Sequence, residues 1–163
     1  MTKTGIYYGS STGTTQSVAE KIAAALHLDP KDLHDISSAD AAEADAYDFL
    51  ILGTSTWGDG EMQDDWYDFV NALKPHLNGK KVALFGLGDS SSYDTTYCDG
   101  MGLLYDELEG CGCTFVGSTP TEGYSYSESK AERNGRFVGL CLDEDNESDQ
   151  TDERIEKWIA NLA

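Results

Sequence analysis

Short apolar runs alternate with amphipathic segments along nearly the whole chain, and this alternation limits the possible folds more than any other feature. Each run is rich in aliphatic and aromatic residues, and most are bounded by glycine, as is typical of strands buried on both faces. Strands that alternate with helices predict an α/β fold, an open and doubly wound parallel sheet with helices on both faces. The runs lie at residues 6–8, 49–52, 82–85, 115–116 and 137–142.

Amphipathic helices are predicted where apolar residues recur three and four positions apart. Trp66, Phe69 and Val70 have this spacing, and Thr151 is the predicted N-cap of the last helix. With 163 residues, of which 39% are hydrophobic, we expect a single domain that spans residues 1–163. The predicted helices include residues 18–26, 66–73, 101–108 and 155–162.

The charge balance excludes some partners and favours others. The chain has 30 acidic and 11 basic residues, which gives a formal net charge of −19. Such a surface repels the phosphates of nucleic acids and of anionic membranes, so we expect neither as a partner. A partner with a basic patch, attracted by electrostatic steering, is expected instead. The same acidic surface favours a monomer.

The cysteines and the first residues of the chain bear on its location. The chain begins without the apolar stretch of a signal peptide and has no run of about 20 apolar residues, so we expect a soluble, cytoplasmic protein. Cys98, Cys111, Cys113 and Cys141 fit ordinary thiols in a reducing compartment. No second close pair and no histidine cluster completes a zinc site, so no metal is predicted. A redox role of Cys111 and Cys113 stays open.

The first apolar run ends in a loop of small and hydroxylated residues that leads directly into a helix. Ligands of doubly wound sheets bind beyond the carboxyl ends of the strands, and a helix N-terminus offers free N–H groups to a phosphate. One hydroxyl is enough to cap a helix, so the excess of hydroxyls predicts an anion cradle; a cap without a ligand is the alternative. The loop lacks the lysine of nucleotide-triphosphatase loops and the glycine spacing of dinucleotide-binding loops. It consists of Gly9, Ser10, Ser11, Thr12, Gly13, Thr14 and Thr15.

Two further strand-end loops each carry an aromatic residue among glycines and polar residues. Trp57 lies in the loop of residues 53–61, and Tyr93 ends the loop of residues 86–93. A tryptophan in such a loop is poorly placed for the core and offers a flat face for stacking on a planar ring. The cradle and the two aromatic residues share one edge of the predicted sheet. Together they predict a ligand in which a phosphate is joined to a planar ring.

These three loops, in this order, resemble the FMN-binding loops of the flavodoxin family. The matching segments are 10–15, 56–61 and 86–93, and residues 134–146 contain a further family signature. The 19 residues 118–136 resemble the insertion that splits the last strand of long-chain flavodoxins. The resemblance covers essentially the whole chain and implies a five-stranded sheet of order 2-1-3-4-5. One departure is Thr14, because many long-chain members have lysine there.

The resemblance implies a low-potential one-electron carrier whose non-covalently bound FMN cycles via the semiquinone, without substrate turnover of its own. It implies that Trp57 and Tyr93 sandwich the isoalloxazine ring. Asp145 would approach the ribityl chain, although a solvated acidic loop residue is an equal alternative. The implied phosphate ligands are Ser10, Ser11, Thr12, Gly13, Thr14 and Thr15. The residues implied around the ring are Thr56, Trp57, Gly58, Asp59, Gly60, Gly88, Asp89, Tyr93, Thr96, Tyr97, Cys98 and Asp99.

Acidic residues are concentrated in the two stretches that contain the ring loops. Eleven Asp and Glu residues and no base lie between Lys31 and Lys74, and eight lie between Lys81 and Lys130, again without a base. A unit charge ~10 Å away costs an added electron roughly 0.4–1.7 kcal/mol at effective dielectrics of about 80 to 20. Each acidic residue therefore lowers the midpoint potential of the flavin by on the order of 20–70 mV before salt screening. Several such residues together predict a strong reductant.

Two other functions compete with the carrier. A phosphorylated receiver domain shares the predicted fold, but it needs acidic residues where this chain has residues 9–11 and 53–55. An FMN-dependent quinone or nitro reductase is the remaining alternative. We prefer the carrier because aromatic residues on both faces of the ring would leave no room for a hydride donor. The three histidines, His27, His34 and His76, are expected at the surface, away from the strand-end loops.

By resemblance, the expected partners are redox proteins with basic surfaces. An NADP-linked flavodoxin or ferredoxin reductase is one candidate. A low-potential donor or acceptor enzyme such as pyruvate oxidoreductase, nitrogenase or photosystem I is another. The sequence contains no feature that favours one of these candidates over the others.

Overall fold

The computed structural model describes residues 3–57 and 60–162, and most of its strands lie in one parallel sheet. Within these residues, four α-helices connect or flank the strands. In chain order the strands are β1 (Thr4–Tyr8), β2 (Leu33–Asp35), β3 (Phe49–Thr54), β4 (Thr56–Trp57), β5 (Glu61–Met62), β6 (Lys81–Leu87), β7 (Thr114–Val116), β8 (Thr119–Pro120), β9 (Glu132–Arg133), β10 (Arg136–Phe137) and β11 (Leu140–Leu142). The helices are α1 (Thr14–Ala25), α2 (Trp66–Leu73), α3 (Asp99–Leu108) and α4 (Thr151–Ala160).

The strand order of the parallel sheet is β11-β6-β3-β1-β2, and β7 also pairs with β6. β7 and β11 both pair with the outer side of β6. β7 pairs near its start, where Phe115 is opposite Val82, and β11 pairs near its end, where Leu142 is opposite Leu87. They are therefore two halves of one strand. The predicted order 2-1-3-4-5 and the split last strand are both confirmed.

Each face of the sheet is covered by two helices. Along β1 the side chains alternate, so that Tyr7 packs on one face while Ile6 and Tyr8 pack on the other. All three are buried, which explains why the run is apolar without interruption. The face of Tyr7 is covered by α2 and α3 through Trp66, Phe69, Val70, Leu73, Met101, Leu104 and Leu108. The opposite face is covered by α1 and α4 through Val18, Ala19, Ile22, Ile155 and Trp158.

The insertion between the two halves of the split strand forms its own small antiparallel sheet, of order β8-β10-β9. Phe137 belongs to β10, and the parallel strand begins only at Leu140, so the prediction of one strand through residues 137–142 is wrong. The backbone N–H of Val138 bonds instead to the carbonyl oxygen of Ala131 at 2.8 Å. Gly139 passes so close to the backbone of Leu84 that a Cβ would clash.

Three further details differ from the sequence-based expectations. β2 has no apolar run that would predict it, because it is a half-buried edge strand of three residues. Gln150, not Thr151, is the N-cap of α4, because Thr151 already has helical φ and ψ of −58° and −49°; its hydroxyl bonds to the Glu144 carboxylate. His34 is half-buried rather than at the surface, since it stacks on Tyr7 with the ring centroids 4.5 Å apart. Within residues 3–57 and 60–162, no helix is long and apolar enough to cross a bilayer.

Candidate functional site

A crevice of about 260 Å³ opens at the carboxyl edge of the sheet, where the loops after β1, β3, β6 and β11 meet. The structure thus brings the cradle and both aromatic loops to one place. They come together because parallel strands end at the same edge, although the loops are far apart in sequence. The crevice is lined by Thr12, Thr14, Ser55, Thr56, Trp57, Leu87, Gly88, Asp89, Tyr93, Thr96, Glu144 and Asp145.

The cradle leaves the N-terminus of α1 open. Gly13 is the N-cap residue with a left-handed φ of 91°, and no side chain in the described part of the chain caps the helix. The hydroxyl of Ser10 instead accepts the N–H of Gly13 at 3.0 Å, which holds the loop in its curve. The first turn of α1 contains no acidic residue. The N–H groups of this turn have no intrahelical acceptor, so they remain available to an anion.

The remaining cradle side chains point in different directions. Ser11 and Thr12 are exposed, Thr14 is half-buried, and the side chain of Thr15 is buried at 1% exposure. The hydroxyls of Thr12 and Thr14 lie 3.4 Å apart. The structure therefore presents hydroxyls at the crevice from Thr12 and Thr14, while Thr15 packs inward.

The loop after β3 holds Trp57 at the crevice. Trp57 is 40% exposed, which is unusual for so large an apolar side chain. The N–H of Gly60 donates to its carbonyl oxygen at 3.1 Å, and Gly60 has a φ of 102°. The hydroxyl of Thr56 accepts the N–H of Gly100 at 3.0 Å, so the first turn of α3 is tied to this loop. Gly58 and Asp59, which the sequence also predicts at the site, lie outside the described residues.

The loop after β6 holds Tyr93, which is 53% exposed. The carboxylate of Asp89 accepts the N–H groups of Ser91 at 3.0 Å and Ser92 at 2.9 Å. These backbone donors, that of Ser92 first, hold the pKa of Asp89 below its usual value. The N–H of Tyr93 then closes the turn on the carbonyl oxygen of Asp89 at 2.9 Å. Tyr93 thus stands at the crevice on a tightly hydrogen-bonded turn.

The residues that follow this loop divide between the crevice and the core. Thr96 lines the crevice, whereas the side chains of Tyr97 and Cys98 are fully buried. Tyr97 stacks on Tyr126 of the insertion with the ring centroids 5.5 Å apart. Asp99 is 2% exposed and accepts the N–H of Lys130 at 2.7 Å, and burial raises the pKa of its carboxyl group. Of residues 96–99, only Thr96 presents its side chain to the crevice.

Among the described residues, three carboxylates stand at the crevice and give it a negative potential. They belong to Asp89, Glu144 and Asp145. Burial raises the pKa of Asp145, and the charges of Asp89, Asp143 and Glu144 raise it further. Each of these groups would oppose an added negative charge on a ligand ring.

Ser55, Leu87 and Glu144 line the crevice and are not among the site residues predicted from the sequence. The Ser55 hydroxyl is buried and has no hydrogen-bond partner among the described residues. A buried polar atom without a partner is costly, and a ligand polar group would relieve that cost. The position of Ser55, directly after a strand end in a hydroxyl-rich loop, was the signal that could have found it.

A larger groove, of about 830 Å³, lies between α4 and the insertion. Its arginines are engaged internally: Arg154 pairs with Glu147 at 3.0 Å and lies 3.9 Å above the Tyr124 ring. Arg136 donates to both the hydroxyl and the carbonyl of Ser118. We regard the smaller crevice as the candidate site because it combines an open helix N-terminus, exposed aromatic rings and an unpartnered hydroxyl.

The sheet and this crevice define a doubly wound α/β protein with a site for a ligand that joins a phosphate to a planar ring. A sequence model described as Flavodoxin matches residues 6–158. The chain is 45% identical to the flavodoxin of Synechococcus elongatus and 47% identical to flavodoxin 1 of Azotobacter vinelandii, over 99% of this chain and 96% of each relative. The crystal structure of Fusobacterium nucleatum flavodoxin bound to flavin mononucleotide matches with a TM-score of 0.87 at 34% identity, over 98% of this chain and 96% of that one. The chain belongs to the flavodoxin family.

Proposed function

We propose that this flavodoxin binds FMN non-covalently in the crevice and carries electrons one at a time between redox proteins. The observation that carries the proposal is the convergence, in one crevice, of an open helix N-terminus and two exposed aromatic rings, Trp57 and Tyr93. When bound, FMN supplies the redox chemistry, because its ring accepts and releases single electrons.

The chain's residues have two tasks in this proposal. The cradle of Ser10, Ser11, Thr12, Gly13, Thr14 and Thr15 binds the phosphate through backbone N–H groups and hydroxyls. Trp57 and Tyr93 enclose the ring and exclude water from it. Thr56, Gly58, Asp59, Gly60, Gly88, Asp89 and Thr96 border the ring, and Tyr97, Cys98 and Asp99 contribute backbone only, because their side chains are buried. Asp145 lies by the ribityl chain, and Ser55 is added to this set.

The proposed site predicts a specific preference for a phosphorylated flavin. Each charge-assisted hydrogen bond from the cradle contributes roughly 1.5–3 kcal/mol. The apo-protein should therefore bind FMN at least ~100-fold more tightly than riboflavin, measured by quenching of flavin fluorescence in phosphate-free buffer. Equal affinities would remove the cradle from the proposal.

The carrier and a quinone or nitro reductase make different kinetic predictions. A carrier transfers electrons only between proteins, so the FMN-loaded protein should not oxidise NADPH steadily with a quinone present. Adding a flavodoxin reductase should start reduction of the bound flavin, seen in its visible spectrum. Steady NADPH oxidation without that reductase would favour the enzyme.

The proposed partners are redox proteins with basic surfaces, such as an NADP-linked flavodoxin or ferredoxin reductase and a low-potential donor or acceptor enzyme. The net charge of −19 supports this proposal through electrostatic steering, and it also favours a monomer. A reducing cytoplasm is the proposed location, supported by four free thiols, two of them buried.

A further inference from the structure

A fully buried carboxylate lies beneath the loop that carries Tyr93. Asp143 follows β11 directly and has 0% of its surface exposed. One of its oxygens accepts both the N–H of Ser90 at 3.0 Å and the Ser90 hydroxyl at 2.6 Å. Asp143 does not line the crevice, so it acts from behind the loop.

Asn146 extends this contact to a second point of the same loop. Its backbone N–H donates to the other oxygen of Asp143 at 3.0 Å, and its amide donates to both oxygens at 3.1 Å. The same amide donates to the carboxylate of Asp89 at 2.8 Å. Asp89 in turn accepts the N–H groups that form the turn before Tyr93. Asp143 is therefore linked to the loop both directly at Ser90 and through Asn146 at Asp89.

The hydrogen-bonding capacity of Asp143 is filled by these donors. Because Asp143 is fully buried, its carboxylate would lose these donors without gaining water in their place if the loop moved away, which is costly. The loop consequently has one low-energy position relative to the end of β11. The backbone supports this, since the N–H of Gly88 donates to the carbonyl oxygen of Leu142 at 3.0 Å.

From this geometry we infer that Asp143 is a positioning residue for the ring site: it fixes the turn of Asp89–Tyr93 so that Tyr93 is held ready against the flavin. The inference deepens the proposed function and rests on it. A fixed turn lowers the conformational entropy that the loop loses when the flavin binds. FMN affinity is therefore higher, and dissociation of the flavin is slower. The side chain that meets the flavin is Tyr93, while Asp143 acts through Ser90 and Asn146.

The decisive variant is Asp143→Asn, which keeps the size of the side chain but replaces an acceptor oxygen by a donor. That amide would face the donors of Ser90 and Asn146, so the link should break. In the FMN-loaded protein we expect the flavin to dissociate at least about tenfold faster. The visible circular dichroism of the flavin, which reports the ring environment, should weaken.

The chain provides a control with the same hydrogen-bond pattern, at a half-buried position, at the end of β2. Asp35 accepts the N–H of Ser37 at 2.9 Å and the Ser37 hydroxyl at 2.7 Å, the same kind of contact, but it does not line the crevice. Asp35→Asn should leave flavin release and the circular dichroism unchanged. An equal acceleration in both variants would show a general effect on stability and would overturn the positioning role.

Hydrogen exchange of the apo-protein tests the inference without the cofactor. The Ser90 amide should exchange at least about tenfold faster in Asp143→Asn than in the parent. Unchanged exchange together with unchanged flavin release would overturn the inference.

If Asp143→Asn does not fold, Ser90→Ala is the second variant, because it removes only the hydroxyl contact. It should accelerate flavin release about two- to fivefold, and an unchanged release rate would contradict the inference. A parent protein that binds no FMN would refute the proposed function, whereas slow exchange at Ser90 that Asp143→Asn accelerates would still support the link between Asp143 and the loop.

Discussion

The side-chain amide of Gln63 donates a hydrogen bond to the hydroxyl of Ser11 at 3.1 Å, although the two residues are 52 positions apart in the chain. Gln63 is 2% exposed, and its amide oxygen also accepts the N–H of Asp65 at 3.0 Å. This amide therefore connects the phosphate cradle with the segment that leads from the Trp57 loop into α2. The two halves of the ligand site are not independent.

We expect Gln63→Ala to weaken FMN binding more than riboflavin binding, because it releases the cradle. The loss of one hydrogen bond of about 0.5–1.5 kcal/mol corresponds to a roughly 2- to 10-fold higher Kd for FMN. Fluorescence titration of the apo-protein measures both constants. Asn71→Ala is the control, since Asn71 is an exposed amide on α2 whose one hydrogen-bond partner within residues 3–57 and 60–162 is the carbonyl oxygen of Tyr67. Equal weakening of both flavins would place the effect outside the cradle.

Thr14→Lys should make both midpoint potentials of the bound flavin less negative. Thr14 is part of the cradle, and a lysine there would offset the phosphate charge that opposes each added electron. A unit positive charge ~10 Å from the ring raises its midpoint potential by about 20–70 mV before salt screening. Redox titration measures the shift. Glu156→Gln, at an exposed position on α4, changes the net charge equally and should shift the potentials much less. Comparable shifts in the two variants would contradict a local effect.

The acidic face beside Trp57 should steer a basic reductase onto the protein. Glu61, Asp64 and Asp68 are exposed, while Asp65 is half-buried and accepts the amide of Gln63, so Asp64 and Asp68 are the cleaner pair to change. Asp59, also expected on this face, lies outside the described residues. In stopped-flow measurements, we expect the association rate to fall about tenfold or more as salt rises from about 20 to 300 mM.

The double variant Asp64→Asn, Asp68→Asn should lower the association rate at low salt and flatten its salt dependence, with FMN still bound. A double variant of the same charge change on the other side, Asp149→Asn with Glu156→Gln, should have a smaller effect. Identical salt dependence in both double variants would show that only the net charge matters.

Asp145→Asn should slightly stabilise the apo-protein at neutral pH. The pKa of Asp145 is raised in the folded protein, first by burial and then by neighbouring carboxylates, so its ionised form opposes folding. The penalty is complete above the folded pKa and vanishes below the ordinary value of about 3.9. The variant should therefore melt at a slightly higher temperature at pH 7, and the difference should close as pH falls towards about 4. A gap that widens on acidification would refute this.

The same variant separates the two roles considered for Asp145. If the carboxylate of Asp145 accepts hydrogen bonds from the ribityl chain, its replacement should lower FMN affinity by roughly 3-fold or more. A merely solvated acidic residue would give unchanged or slightly tighter binding, because one negative charge near the phosphate is removed. Titration with FMN and riboflavin distinguishes the two.

Gly58→Thr should make the first midpoint potential more negative by on the order of 40–90 mV, at about 2.3 kcal/mol per 100 mV. In flavodoxins the peptide after this glycine can turn over when the flavin takes one electron. The rotated peptide needs a positive φ, which costs a residue with a Cβ roughly 1–2 kcal/mol. Gly58 lies outside the described residues, so this stays a prediction from the sequence. A redox titration with an unchanged first potential, or equal loss of affinity in all redox states, would exclude it.

Local sequence was sufficient to predict most of the sheet, the four helices and the loops that form the crevice. The reason is that a strand buried on both faces must be apolar throughout, as Ile6, Tyr7 and Tyr8 are, and a packed helix must repeat its apolar residues at its own period. Parallel strands also end at one edge, so residues that directly follow them can be assigned to one site before any contact is known.

Other features depend on contacts between distant residues, and only the tertiary structure decided them. β2 is too short and too exposed to have a pattern of its own, and it exists because it pairs with β1. Tyr97 follows the ring loop in sequence, yet its side chain is in the core because the insertion supplies Tyr126 to stack on it. The link between Asp143 and Ser90 spans 53 positions and leaves no periodic signal. Sequence by itself determined which residues must be buried and where the chain must turn. The hydrogen bonds that join remote parts of the site form only once the fold brings these groups together, because a buried group such as the Asp143 carboxylate must find its donors within the protein.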